Sequence, residues 1–133
     1  MAPSEGSIEV RVRYPEVDRM GFAHHANHFV WFEIGRTDLM RSRGIDYRSV
    51  EDDGLFLPVI GASCAYRSPA RYDDLLRIIT SVASLGAARV TFAYRIERAV
   101  DGTLLATGTT EHAAVDGRGR PRRLPSRLRE LLS

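Results

Sequence analysis

Ile8, Val10, Val12 and Tyr14 alternate with Glu9, Arg11 and Arg13, the two-residue period of a strand with one buried face. Pro15 ends it, since proline cannot donate to a ladder. The period then lengthens. Across residues 27–43, Phe29, Phe32, Arg36, Leu39 and Met40 recur at spacings of three and four, while Trp31 and Ile34 widen the apolar surface. The spacing predicts one long helix covered on most sides, with Asn27 as N-cap and Gly44 as its stop. Residues 46–54 are polar and fit one or two helical turns. Segments 57–67, 75–84, 89–98 and 104–115 are rich in β-branched and aromatic residues, which predicts strands. Ser68-Pro69, Leu85-Gly86, Asp101-Gly102 and Asp116-Gly117 supply the turns between and after them. Residues 126–132 read as a short terminal helix that packs Leu128, Leu131 and Leu132 on the sheet. The order predicts an α+β fold with an antiparallel sheet around the helix, in one domain over residues 1–133 without repeat or linker.

Composition removes several alternatives. A chain of 133 residues buries roughly 65–70% of its unfolded surface, enough to fold without disulfide or metal. No apolar run approaches the ~20 residues that cross a bilayer. Residues 1–7 lack the basic region and apolar core of a secretory signal, and Cys64 has no internal partner, so the expected compartment is the cytoplasm. All 19 basic residues are arginine, which reads as the composition of a GC-rich genome rather than as a ligand signal. Arg118, Arg120, Arg122 and Arg123 cluster beside Gly117, Gly119 and Pro121, but no aromatic residues interleave to stack on bases. That cluster reads as a solvated turn, with no nucleic-acid partner.

The polar groups concentrate in residues 14–27, between the first strand and the helix. In structural terms Asp18 and Gly21 occupy the first and fourth positions of a type I turn. In chemical terms Asp18 is a carboxylate seven residues ahead of His25, at a helix start whose unpaired N–H groups can hold a developing oxyanion. That pair suits thioester hydrolysis, because a thiolate leaves without obligatory protonation. Asp18 would attack the carbonyl directly or deprotonate an attacking water. His24, His25 and His28 suggest a metal site, yet no third ligand follows in pattern, so neither metal nor cofactor is expected. Ser63 and Cys64 resemble a nucleophile elbow only distantly and read as packing residues. Glu33 and Arg36 read as a helical ion pair.

The strand followed by Tyr14-x-x-x-Asp18, then Gly21, His25, Ala26-Asn27, Phe32-Glu33 and Arg36 resembles the 4-hydroxybenzoyl-CoA thioesterase family, most of all its Tol-Pal-associated acyl-CoA thioesterase branch. The similarity continues in residues 68–74, Ser-Pro-Ala-Arg-Tyr-Asp-Asp. It implies a hotdog fold, an antiparallel sheet wrapped around one long central helix. It also implies homodimers or homotetramers with active sites between subunits, and an acyl-CoA substrate hydrolysed to free acid and CoA. Asp18 would be the catalytic carboxylate and the His25 N–H the carbonyl donor, with the Tyr14 and His25 side chains completing the site. His24 and Asn27 would contact substrate, and Val59 and Ile60 would line the acyl pocket. His24 stands where relatives commonly have tyrosine, which bears on acyl specificity. Glu33 is the reserve carboxylate, since another hotdog branch carries its catalytic glutamate on the helix. A carrier-protein or aromatic, naphthoyl-type thioester remains an alternative substrate, and a non-catalytic acyl-CoA-binding hotdog protein an alternative of another class.

Overall fold

The structure, a computed structural model, describes residues 5–133. Strand β1 (Glu5–Arg11) leads through a single 3₁₀ turn (Tyr14–Glu16) to helix α1 (Asn27–Ser42) and helix α2 (Tyr47–Asp52). Strands β2 (Val59–Tyr66), β3 (Leu75–Leu85), β4 (Arg89–Arg98) and β5 (Leu104–Ala113) follow, then helix α3 (Ser126–Leu132). The strands form one sheet in the order β1-β3-β4-β5-β2, antiparallel throughout. β3, β4 and β5 are joined by consecutive hairpins, whereas β1 and β2 occupy the edges.

Helix α1 lies across the sheet, with Trp31, Phe32 and Leu39 buried against Leu76, Ile78, Phe92, Ile96 and Leu105. Phe32 stacks on Tyr94 of β4 at 4.3 Å between ring centroids. Gly35 allows the closest approach. A Cβ there would stand 2.5 Å from Thr80 Oγ1 and 2.8 Å from Ile78 Cγ2, so glycine is required in mid-helix despite its low propensity. Gly44, at φ +81°, ends the helix in the left-handed conformation expected of a C-terminal stop. This is the hotdog arrangement, a sheet wrapped around a central helix. Among the described residues, no helix is long and apolar enough to cross a membrane.

Three local expectations need correction. Tyr14 does not extend β1, because the strand ends at Arg11 and the φ of Pro15 suits the 3₁₀ turn that follows. Asn27 is not the N-cap. It is the first residue of α1, preceded by Ala26, and its side chain points back to two carbonyls instead. Glu33 and Arg36 form no ion pair within 4 Å among the described residues, although they are one turn apart on α1.

Candidate active site

The segment between β1 and α1 folds as a small hairpin. Val17 bridges Ala23, Asp18 N donates to Phe22 O at 2.9 Å, and Gly21 N donates to Asp18 O at 3.0 Å. Gly21 closes the turn with φ +81°. At its tip, Asp18 Oδ1 accepts from Met20 N at 2.8 Å and Phe22 N at 3.2 Å. The expected turn therefore exists and uses one carboxylate oxygen. Asp18 Oδ2 accepts no hydrogen bond among the described residues, and the residue is exposed. Turn and reactive carboxylate are compatible: two backbone donors fix the group through one oxygen and leave the other for chemistry.

The hairpin is attached on two sides. Toward β3, Ala23 N donates to Ala70 O and Tyr72 N to Gly21 O, which explains why residues 68–74 belong to the same sequence motif. Toward α1, Glu16 O accepts from His24 N at 2.8 Å and from Asn27 Nδ2 at 2.9 Å. Asn27 Nδ2 also reaches His24 O, at 3.1 Å, which Asn27 N contacts at 3.0 Å. The His24–His25 peptide is thus held at its carbonyl end by two donors. Its N–H, on His25, finds no acceptor among the described residues, whereas the next one, Ala26 N–H, is taken by His24 Nδ1 at 3.2 Å. A fixed peptide with a free N–H at a helix start has the makings of an oxyanion donor.

Sequence reasoning missed the residues that brace this turn from the far side. Tyr66, at the end of β2, donates its hydroxyl to His25 O at 2.9 Å. His28 Nδ1 lies 3.0 Å from the same carbonyl, so that nitrogen carries the proton and donates. Burial lowers the His28 pKa, which keeps the ring neutral, and the ring packs edge-on against Tyr66 at 4.7 Å. No local signal ties Tyr66 to His25, which stands 41 residues away. An open cleft of about 280 Å³ lies here, walled by Ala23, His25, His28, Tyr66, Arg67 and Pro69 among others.

The other expected site residues are less concentrated. Tyr14 packs edge-on against Tyr72 at 5.6 Å between centroids, is 74% exposed, and makes no hydrogen bond to Asp18. His24 stacks on His25 at 4.2 Å. The Asn27 amide nitrogen is engaged with the protein's own carbonyls. Val59 and Ile60, about half exposed at the start of β2, are at the opposite end of that strand from Tyr66. Asp18 itself lies outside the cleft lining, on the neighbouring turn.

The antiparallel sheet around a helix, with a carboxylate turn beside the helix start, is a hotdog fold with a candidate site for thioester chemistry. A profile of the Thioesterase-like superfamily matches residues 12–132. The acyl-CoA thioester hydrolase YbgC of Escherichia coli is 30% identical over 120 residues, covering 90% of this chain and 89% of that one. The crystal structure of a Thermus thermophilus protein described as hypothetical, TT1821, superposes with a TM-score of 0.89 at 36% identity, over 95% of each chain. A 4-hydroxybenzoyl-CoA thioesterase in complex with its ligand shares the fold with a TM-score of 0.88 at 17% identity, over 98% of this chain and 99% of that one. The chain belongs to the Thioesterase-like superfamily, and thioester hydrolysis is its activity.

Proposed function

We propose that the chain hydrolyses acyl-CoA thioesters at the turn between β1 and α1, with Asp18 as nucleophile or general base and the His25 N–H as carbonyl donor. The observation that carries this reading is the division of the Asp18 carboxylate, one oxygen fixed by Met20 and Phe22 and the other open, on a hairpin sewn through Glu16 to a helix start with a free N–H. The thioester carbonyl would rest on His25 N–H, where the peptide dipole meets charge as it develops. Asp18 would supply the electron pair directly, giving a mixed anhydride that water then opens, or would take a proton from the attacking water. In either case the thiolate departs unassisted. Arg67, exposed on the cleft rim, is placed to meet an anionic portion of the coenzyme.

A second copy of the chain completes the site in this reading. β2 pairs with β5 on one side and has an open edge on the other, with Val59, Ile60 and Tyr66 each about half exposed. Phe29 and Val30 on the adjoining face of α1 are similarly exposed. An unpaired edge beside an apolar face favours edge-to-edge pairing through a two-fold axis. A homodimer, or a homotetramer built from two such dimers, would then roof the groove between α1 and β2. Light scattering at working concentration checks this, and a monomer with full activity would contradict it. Cys64, a free thiol in the structure, fits a reducing compartment such as the cytoplasm.

Thiol release from a panel of short-, medium- and long-chain and aromatic acyl-CoAs, alongside matched carrier-protein thioesters, tests the substrate class. The expected result is turnover of CoA esters in preference to carrier-protein esters. Binding without turnover across the panel would point to a non-catalytic acyl-CoA-binding protein.

A further inference from the structure

The chain builds the Asp18 turn twice. Val17-Asp18-x-x-Gly21 recurs as Val115-Asp116-x-x-Gly119, and the two segments fold alike. A flanking bridge closes each hairpin, Val17 to Ala23 in one and Val115 to Pro121 in the other. Asp18 N donates to Phe22 O at 2.9 Å, and Asp116 N to Arg120 O at 2.8 Å. Gly21 N returns to Asp18 O at 3.0 Å, and Gly119 N to Asp116 O at 2.9 Å. Both glycines are left-handed, at φ +81° and +80°. Each carboxylate engages Oδ1 with two N–H groups just ahead of it. Asp18 takes Met20 and Phe22 at 2.8 and 3.2 Å, and Asp116 takes Arg118 and Arg120 at 2.8 and 3.0 Å.

The two turns differ at Oδ2. Arg120 reaches back through Nε to Asp116 Oδ2 at 3.1 Å and closes it. The Asp116 carboxyl is held below the usual carboxylate range, first by the Arg120 and Arg118 N–H groups and further by the Arg120 side chain. Phe22 occupies the matching position in the first turn, and its side chain has nothing to donate. Asp18 Oδ2 accepts no hydrogen bond among the described residues. A carboxylate with both oxygens engaged is a weaker base and a weaker nucleophile than one with an oxygen free.

Phe22 also holds a cation. It bridges Arg71 on the neighbouring segment, and the Arg71 guanidinium carbon lies 5.2 Å from the centre of the Phe22 ring, within cation–π range. The Arg120–Asp116 contact shows that the equivalent side chains of this turn share a face, and residues paired across a bridge share one too. Asp18, Phe22 and Arg71 therefore form one row with the ring in the middle. Strand spacing puts the outer two about 10 Å apart at the backbone, a gap that an arginine and an aspartate side chain together can span. Neither Arg71 nor Arg19 makes an ion pair within 4 Å among the described residues. The nearby acids are engaged elsewhere, Glu16 with Arg13, Asp73 with Arg11 and Asp74 with Arg98. Of the titratable rings, Tyr14 packs on Tyr72 and His24 on His25, and none of them bonds to Asp18.

We propose that Phe22 is a positioning residue of the active site: its ring keeps Asp18 Oδ2 clear of a cation, by filling the place from which Arg120 closes Asp116 and by holding Arg71 on its face. This rests on Asp18 being the reacting carboxylate.

The test measures kcat and KM for an acyl-CoA that the wild-type protein turns over, across the acid limb of the profile, which reports the group that must be ionised. Phe22→Arg installs the side chain that the same turn already carries at Arg120, so the hairpin should fold, with circular dichroism as the check. The expected result is a kcat at least about fivefold lower, KM within about twofold, and an acid limb lower by about half a pH unit or more, the scale of an exposed ion pair. A packing defect would lower kcat without moving the limb. Phe22→Tyr keeps the ring and should stay within about threefold of the wild-type rate. Phe22→Leu frees Arg71 and should lower kcat, and adding Arg71→Gln should restore most of the loss. Carbon NMR titration of the side-chain carboxyls reads the charge effect independently of turnover. Asp18 should titrate at lower pH in Phe22→Arg than in the wild-type protein, and Asp116 at higher pH in Arg120→Phe. An unmoved Asp18 titration in Phe22→Arg, or a Phe22→Leu loss that Arg71→Gln does not restore, would overturn the proposal and leave Asp18 in place. An Asp18 titration that moves while kcat and its limb do not would overturn it together with the placement of the active site, because Oδ2 would then not be the reacting oxygen.

Discussion

The Asn27 amide nitrogen donates to Glu16 O, two residues before Asp18, and to His24 O, on the peptide whose N–H belongs to His25. One side chain therefore fixes the separation of the carboxylate turn and the carbonyl donor, and polarises the donor peptide from its carbonyl end. Asn27→Asp keeps the shape but points an acceptor at two acceptors. The expected outcome is a loss of about 1–3 kcal/mol of stability with a fall in kcat of about tenfold or more and little change in KM. Urea unfolding and steady-state kinetics on one preparation check it. An Asp variant with wild-type kcat would show that the two halves of the site are positioned without Asn27.

At the scale of the elements, α1 is set on the sheet by the absence of a side chain at Gly35. Gly35→Ala gains up to ~1 kcal/mol of helix propensity but drives a methyl into Thr80 and Ile78 of β3. Overpacking of this kind costs ~1–3 kcal/mol, so a net loss and a lower thermal midpoint are expected. A raised midpoint would mean that α1 lifts freely from β3. The elements themselves were largely legible in the sequence. The apolar spacing gave α1 to within a residue and α3 over Ser126–Leu132, although α1 buries one face rather than most of its sides, with Phe29, Val30 and Glu33 left exposed. The carboxylate turn was legible too, since Asp18 and Gly21 are a local pattern. The braces were not. Tyr66 meets His25, and His112 meets Leu57, only after β2 is paired with β5, and no local spacing encodes that. Arg36 read as the partner of Glu33 because helical spacing allows it, whereas in the folded chain the two form no ion pair within 4 Å among the described residues.

For the molecule as a whole, two histidines link stability to pH. Burial lowers the pKa of both His28 and His112 below the usual histidine value of 6.5. Below that value the unfolded chain takes up protons that the folded chain refuses, so stability is full above about pH 6.5 and falls as pH drops through it toward the folded-state values. Each group contributes a slope of up to ~1.4 kcal/mol per pH unit. Urea midpoints between pH 7.5 and 5.5 should therefore fall, and His112→Gln should flatten that dependence. An unchanged midpoint over this range would contradict neutral, buried histidines.

The central claim is that Asp18 performs the hydrolysis, and the most direct measurement is single-turnover thiol release by Asp18→Asn. Asparagine preserves the acceptor that Met20 N and Phe22 N require, and so the turn, but offers neither an anionic nucleophile nor an equally strong base. The account predicts a rate at least ~100-fold lower, with an unchanged circular dichroism spectrum and acyl-CoA binding largely retained. A folded Asn variant that releases thiol at close to the wild-type rate would contradict it.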